Sequence, residues 1–211
     1  MRPTLYLLTP DGWSPARLLA TTREVLAAAP APGWLQYRDK SLLPPQERLA
    51  TARALRTLCH AYGWKLLVND HVDTAIAAAA DGVHLGEHDG AIATARDALG
   101  PDALLGRSCY DSLEHAQAAA AAGADYVAFG AFFPSSTKPL ARRAAPRLLT
   151  RARGLGLPLC AIGGITAENA GALVAAGADL IAVLQAIYGA AEPAGAVRSL
   201  QSAIASGAAL R

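Results

Sequence analysis

Ala122-Gly123-Ala124-Asp125-Tyr126-Val127-Ala128-Phe129 and Ala176-Gly177-Ala178-Asp179-Leu180-Ile181-Ala182-Val183 are two copies of one phrase. In each, alanine-rich sequence stops at a glycine, and an aspartate then leads straight into four apolar residues. A glycine just past a helix end supplies the left-handed backbone that such a stop needs. A short, continuous apolar run reads as a strand buried on both faces, the habit of parallel sheets. Ala80-Asp81-Gly82 is a looser version of the same turn. The phrase therefore predicts helix, tight turn and parallel strand, in that order.

The rest of the chain alternates in the same way. Apolar runs at 5–8, 34–37, 65–68, 82–85, 104–108, 126–129, 159–162 and 180–183 make eight predicted strands. Helices are predicted over 15–29 after the cap Ser14, over 45–62 before Gly63, over 111–122, and over 166–176 with Glu168 in its first turn. Proline at the first helical position favours such starts. Eight strand–helix units at a mean spacing of about 26 residues predict an α/β fold, a (β/α)8 TIM barrel near its lower size limit of about 200 residues. The units fill roughly residues 5 to 190, a helical tail fills 192–211, and 1–211 reads as a single domain. A doubly wound open sheet is the alternative, but no Gly-x-Gly-x-x-Gly follows the first strand.

Composition narrows the function. The chain has 211 residues, about 50 of them alanine; 53% are hydrophobic and 17% charged, against roughly 25% charged in an average soluble domain. A disordered chain would be more polar. A net charge of +2 argues against a globally basic binder of nucleic acid or membrane surface. A membrane span needs about 18 to 20 apolar residues, whereas the run 180–191 is about 12 long and contains Gln185. Residues 1–11 are too polar for a signal peptide. Cys59, Cys109 and Cys160 have no disulfide or metal spacing and read as small buried fillers, so a cytoplasmic, reducing setting is expected.

Chemistry in a parallel barrel collects at the C-terminal ends of the strands. After the second strand, Gln36-Tyr37-Arg38-Asp39-Lys40 places Gln36, Arg38 and Lys40 on one side by alternation, a pattern for an anionic ligand. The alternative for Arg38 and Lys40 is surface ion pairing with Asp39 or Glu47. Asn69-Asp70 follows the third strand and Asp89 the fourth. Neighbouring strand ends lie close, so Asp70 and Asp89 could converge on a magnesium ion that also takes substrate phosphate oxygens. Taken singly, each aspartate could instead cap a helix. Ser108 ends the fifth strand. After the sixth, Ser135-Ser136-Thr137-Lys138 lies between Pro134 and Pro139, a loop able to wrap a phosphate or simply a polar connection. After the seventh, Gly163-Gly164 opens a helix whose N-terminus attracts anions. Leu184-Gln185 ends the eighth. His84 reads as a satisfied structural histidine, and His60, His71 and His115 as solvated. No Ser-His-Asp or Cys-His arrangement is apparent. These residues describe a magnesium-dependent enzyme handling a pyrophosphate and a phosphate, and do not name the substrate.

At these positions the sequence resembles the thiamine-phosphate synthase family. The resemblance rests on Leu35-Gln36-Tyr37-Arg38-Asp39-Lys40, Val68-Asn69-Asp70, Asp81-Gly82-Val83-His84-Leu85-Gly86, Gly123-Ala124-Asp125-Tyr126-Val127, Ser135-Ser136-Thr137-Lys138 and Ala161-Ile162-Gly163-Gly164-Ile165-Thr166. It implies a transferase of thiamine biosynthesis, an alkyl transfer that joins 4-amino-2-methyl-5-hydroxymethylpyrimidine diphosphate to 4-methyl-5-(2-phosphoethyl)thiazole. Pyrophosphate leaves first, and the thiazole nitrogen traps the resulting pyrimidine-methyl cation. The resemblance further implies that Gln36, Arg38, Lys40, Asn69, Ser108 and Lys138 hold the pyrimidine diphosphate, with Tyr37 and Asp39 in the same segment. Arg38, Lys40, Ser108 and Lys138 would be the catalytic set, and Asp70 and Asp89 would ligate one Mg2+ per subunit. Ser135, Ser136, Thr137 and Gly164 would hold the thiazole phosphate. The family usually has Ile-Ser after the eighth strand; Leu184-Gln185 replaces it, and the phosphate-binding hydroxyl is lost. The expected partners are small-molecule substrates, with no nucleic acid or membrane and with a homo-oligomer open. The related thiazole tautomerases carry a catalytic histidine where this chain has Ala131, and a non-catalytic phosphate- or thiamine-binding barrel would not need two metal-binding aspartates.

Overall fold

The protein is described by a computed structural model over residues 3–41, 43–134 and 142–211. Eight parallel strands close a barrel in chain order: β1 (Thr4–Leu8), β2 (Trp34–Tyr37), β3 (Lys65–Asn69), β4 (Gly82–Leu85), β5 (Leu104–Tyr110), β6 (Tyr126–Phe129), β7 (Leu159–Ile162) and β8 (Leu180–Val183). Closure is by β1, whose Tyr6 stands opposite Trp34 on one side and Ala182 on the other. The (β/α)8 barrel expected from the sequence is therefore the fold. Around it lie α1 (Pro15–Ala28), α2 (Pro45–Ala61), α3 (Val72–Ala77), α4 (Ile92–Leu99), α5 (Leu113–Ala121), α6 (Arg147–Ala152), α7 (Ala167–Ala176), α8 (Gln185–Tyr188) and α9 (Pro193–Ala208). The predicted helices 111–122 and 166–176 are shorter than expected, because Ser112 and Thr166 are their caps rather than helical residues.

Strand alternation divides the apolar residues into two layers. Tyr6, Leu8, Leu67, Tyr126, Ala128, Cys160, Leu180 and Ala182 fill the barrel interior. Leu7, Leu35, Val68, Val83, Leu105, Val127 and Ile181 point outward and pack in one continuous core with the helices. The three cysteines are free and buried, as filler residues should be.

The repeated phrase has a second role at the bottom of the barrel. The Asp125 amide donates to Leu105 O at 2.7 Å, and its carboxylate accepts from the Leu105 amide at 2.7 Å and from Arg96 at 2.6 Å. Asp179 repeats this with Leu159 and Arg211, and Asp81 with Leu66 and His60. Each aspartate, standing before an even-numbered strand, clamps the start of the strand before it. Two of the histidines read as solvated also find partners. His60 is exposed, as expected, and lies 2.9 Å from Asp81 Oδ2, while His71 is half-buried and lies 3.1 Å from Arg48 Nη1.

Candidate active site

A cavity of about 490 Å3 opens at the C-terminal ends of the strands. Arg38, Lys40, Asn69, Asp70, Asp89, Ser108, Gly164, Leu184 and Gln185 line it, so most of the residues singled out at strand ends meet in one place. Ser135, Ser136, Thr137 and Lys138 lie outside the described residues. Gln36, Tyr37 and Asp39 are not in the lining. Gln36 does face inward, but it sits lower in the barrel, 3% exposed, and donates to Tyr6 Oη at 2.7 Å. Tyr37 and Asp39 belong to the outer face of the same segment. Burial pushes the Tyr37 hydroxyl up to about 12, and the Asp39 carboxylate accepts from the Ser41 amide at 2.8 Å.

The cations are held by carboxylates. Arg38 pairs with Asp11, whose other oxygen accepts from the Lys40 amide at 2.9 Å, and the Lys40 ammonium pairs with Asp70. The surface pairing of Arg38 and Lys40 with Asp39 or Glu47 is thus replaced by pairing inside the site. Asp11 carried no sequence signal of this role: after Thr9-Pro10 it reads as an ordinary turn residue.

Asp70 leaves β3 in the left-handed region, at φ +63°. Aspartate is among the few residues that visit this region. Asp89 is held by a tight loop in which its Oδ2 accepts from the Gly86 amide at 2.9 Å. A Cβ on Gly86 would lie 2.5 Å from that oxygen, so any larger residue there would push the carboxylate out of this position. Arg107 fastens the loop by donating to Glu87 O at 3.2 Å and Gly90 O at 2.7 Å. Neither aspartate caps a helix: the N-cap positions of α3 and α4 are His71 and Ala91, and neither end has a side-chain cap. The two carboxyls are close enough to shift each other's titration. Burial first, and then this contact, raises Asp70 above the ordinary carboxylate range, while the Asp70 contact lowers Asp89.

This pair fits a magnesium ion. Among the described residues no group of three or more His, Cys, Asp or Glu side chains could cage a metal. Magnesium does not need one, since it commonly takes one or two carboxylates, waters and substrate phosphate oxygens. Two neighbouring carboxyls lining one cavity with Arg38 and Lys40 could supply that partial set.

On the opposite wall, Gly163 and Gly164 have φ values of +103° and +63°. A side chain on Gly164 would strike Pro134 and Phe133, so the glycines let the chain after β6 lie against the chain after β7. Asn169 fixes this turn by accepting from the Thr166 amide at 2.9 Å and donating to Gly164 O at 3.1 Å. Asn169 was not singled out from the sequence, although it stands at the capping-box position after Thr166. Inside the barrel His84 is bonded at both nitrogens, to Tyr126 Oη and Ser108 Oγ, each at 2.9 Å. Burial first, and Arg107 second, lower its pKa to about 4, so it is neutral.

A family model described as thiamine monophosphate synthase matches residues 5–187. A thiamine-phosphate synthase of Azoarcus sp. (strain BH72) is 58% identical over 190 residues, 90% of this chain and 91% of the relative. One from Xanthomonas campestris pv. campestris (strain 8004) is 54% identical over 198 residues, 94% of each chain. The solved thiamine phosphate pyrophosphorylase of Pyrococcus furiosus has a TM-score of 0.84 at 31% identity and covers 98% of both chains. A solved 3-hexulose-6-phosphate synthase, at TM-score 0.72 and 22% identity, shares the fold.

Proposed function

The chain belongs to the thiamine monophosphate synthase family, and we propose that it joins 4-amino-2-methyl-5-hydroxymethylpyrimidine diphosphate to 4-methyl-5-(2-phosphoethyl)thiazole, releasing pyrophosphate and forming thiamine phosphate. One observation carries the residue assignment: Arg38, Lys40 and the Asp70–Asp89 pair converge on one cavity. The enzyme is then a pyrimidinylmethyl transferase working on small molecules. No helix among the described residues is long and apolar enough to cross a membrane.

The chemistry asks for stabilisation of negative charge on departing pyrophosphate and for exclusion of water from the cation left behind. Arg38 offers a planar fork to phosphate oxygens and Lys40 a point charge. Asn69 and Ser108 add neutral donors, and Lys138 adds a further cation. Asp70 and Asp89 would hold Mg2+, which when bound supplies charge neutralisation at the diphosphate. Gly164 and the Leu184-Gln185 backbone would take the thiazole phosphate with Ser135, Ser136 and Thr137. Leu8, Ala128, Ile162 and Ala182 form the apolar side of the cavity and limit water there.

The test is direct. Purified protein, both substrates and Mg2+ should yield thiamine phosphate and pyrophosphate, and thiazole carboxylate offered alone should not tautomerise. Tautomerisation without thiamine phosphate would overturn the assignment.

A further inference from the structure

Five side chains form one unbroken file through the barrel interior. Gln36 Nε2 lies 2.7 Å from Tyr6 Oη, which lies 2.8 Å from Tyr126 Oη; Tyr126 Oη lies 2.9 Å from His84 Nδ1, and His84 Nε2 lies 2.9 Å from Ser108 Oγ. Tyr6 and Tyr126 are 1% and 0% exposed, so their hydroxyl protons must find partners within the file. Ser108, at its end, reaches the cavity.

The direction of every bond in the file follows from counting protons. An amide nitrogen only donates, a hydroxyl has one proton, and a neutral imidazole has one N–H. Gln36 donates, so Tyr6 accepts there and gives its own proton to Tyr126. Tyr126 in turn gives its proton to Nδ1. With Nδ1 accepting, the ring proton stands on Nε2 and is donated to Ser108. Ser108 has then received a proton from behind and keeps its own for the cavity. Tyr6, Tyr126 and His84 are all buried, and burial favours the uncharged form of each side chain. The barrel is also built for the file: a Cβ on Gly106 would overlap the Tyr126 phenol, so glycine there leaves that hydroxyl its place.

We infer that Gln36, Tyr6, Tyr126 and His84 are a polarised relay that makes Ser108 an obligatory hydrogen-bond donor into the cavity, with His84 as its positioning residue. The consequence for catalysis rests on the reading of the cavity as the site of pyrophosphate departure. A donor hydroxyl there meets developing negative charge, whereas the reversed relay would present a lone pair to it.

The first measurement is nitrogen-15 NMR of the full chain labelled at histidine, without ligand, at neutral pH, with the His84 signals assigned by their loss in His84→Gln. The expected signature is a protonated Nε2 and an unprotonated Nδ1. A proton on Nδ1, or on both nitrogens, overturns the relay. The second is Gln36→Glu, measured at a pH high enough to ionise the buried carboxylate, which then only accepts and so should reverse the file. The ring proton should move to Nδ1, and kcat should fall about 10- to 100-fold, the effect of losing one charge-assisted donor, with KM for the pyrimidine diphosphate changed far less. Ser108→Ala should lose a similar factor, and the double variant no more than either alone. An unmoved tautomer in a folded Gln36→Glu protein, or full additivity, overturns the inference. If Gln36→Glu does not fold, Tyr126→Phe, which removes one hydroxyl, should release the tautomer preference and lower kcat. An unchanged tautomer and kcat in Tyr126→Phe also overturn the inference. Wild-type protein with the expected tautomer but no thiamine phosphate formation would overturn the functional reading and leave the relay standing.

Discussion

In the free protein Lys40 occupies the carboxylate that the metal is proposed to use. The Lys40 ammonium is paired with Asp70, with side-chain exposures of 49% and 13%. Metal binding must therefore break an ion pair, and removing Lys40 should help the metal while harming the reaction. A half-exposed pair of this kind is worth roughly 0.2–1 kcal/mol. Lys40→Ala should then bind divalent metal up to about fivefold more tightly in the absence of substrate. Loss of the nearby positive charge acts in the same direction. Turnover should move the opposite way, by about 10- to 100-fold, because a charge-assisted contact to the diphosphate of about 1.5–3 kcal/mol disappears. The assay is a titration of substrate-free protein with Mn2+ as a paramagnetic stand-in, read by water proton relaxation, alongside steady-state kinetics. Unchanged or weaker Mn2+ binding in Lys40→Ala would show that Lys40 does not compete for Asp70.

Asp11→Ala should raise KM for the pyrimidine diphosphate by about tenfold, since it frees both the Arg38 guanidinium and the Lys40 backbone; an unchanged KM would remove Asp11 from the site. Asp125→Ala strips the acceptor from the buried Leu105 amide and from Arg96. It should destabilise the fold by about 1–3 kcal/mol and lower Tm by roughly 2–12 °C, with kcat unchanged; calorimetry and kinetics on one preparation check both halves. His84 is neutral when folded, with a pKa of about 4 against an ordinary 6.5. The unfolded chain therefore binds more protons between those values. The stabilisation from this residue is complete above about pH 6.5 and lost as pH falls towards about 4, by about 2 kcal/mol from pH 7 to pH 5. Urea midpoints of wild type and His84→Gln at the two pH values should differ in slope accordingly, and equal slopes would refute the assignment.

The barrel was readable because its strands are apolar on both faces and its turns repeat Gly-Ala-Asp. α3, α4 and α6, at six to eight residues, are too short to show a helical period and stayed hidden. The Asp70–Asp89 convergence was legible for a topological reason, since neighbouring strand ends must be close. Gln36 illustrates the limit of the same reasoning. Alternation places it on the inner side with Arg38, but two residues down a strand is roughly 6–7 Å deeper, which is the difference between lining the cavity and supporting it. Asp11 and His60 were missed because their partners, Arg38 and Asp81, are brought to them by strand pairing and helix packing, which no local pattern encodes.

The carboxylate clamps of Asp81, Asp125 and Asp179 lie at the opposite rim from the cavity. Strand order and register are secured where no reaction takes place, by groups that no substrate touches. The loops at the other rim can therefore be lengthened, shortened or rewritten without loosening the scaffold. Such separation makes the molecule modular: its durability and its specificity can drift independently, and a designer wanting a new reaction would leave one rim alone and edit only the other.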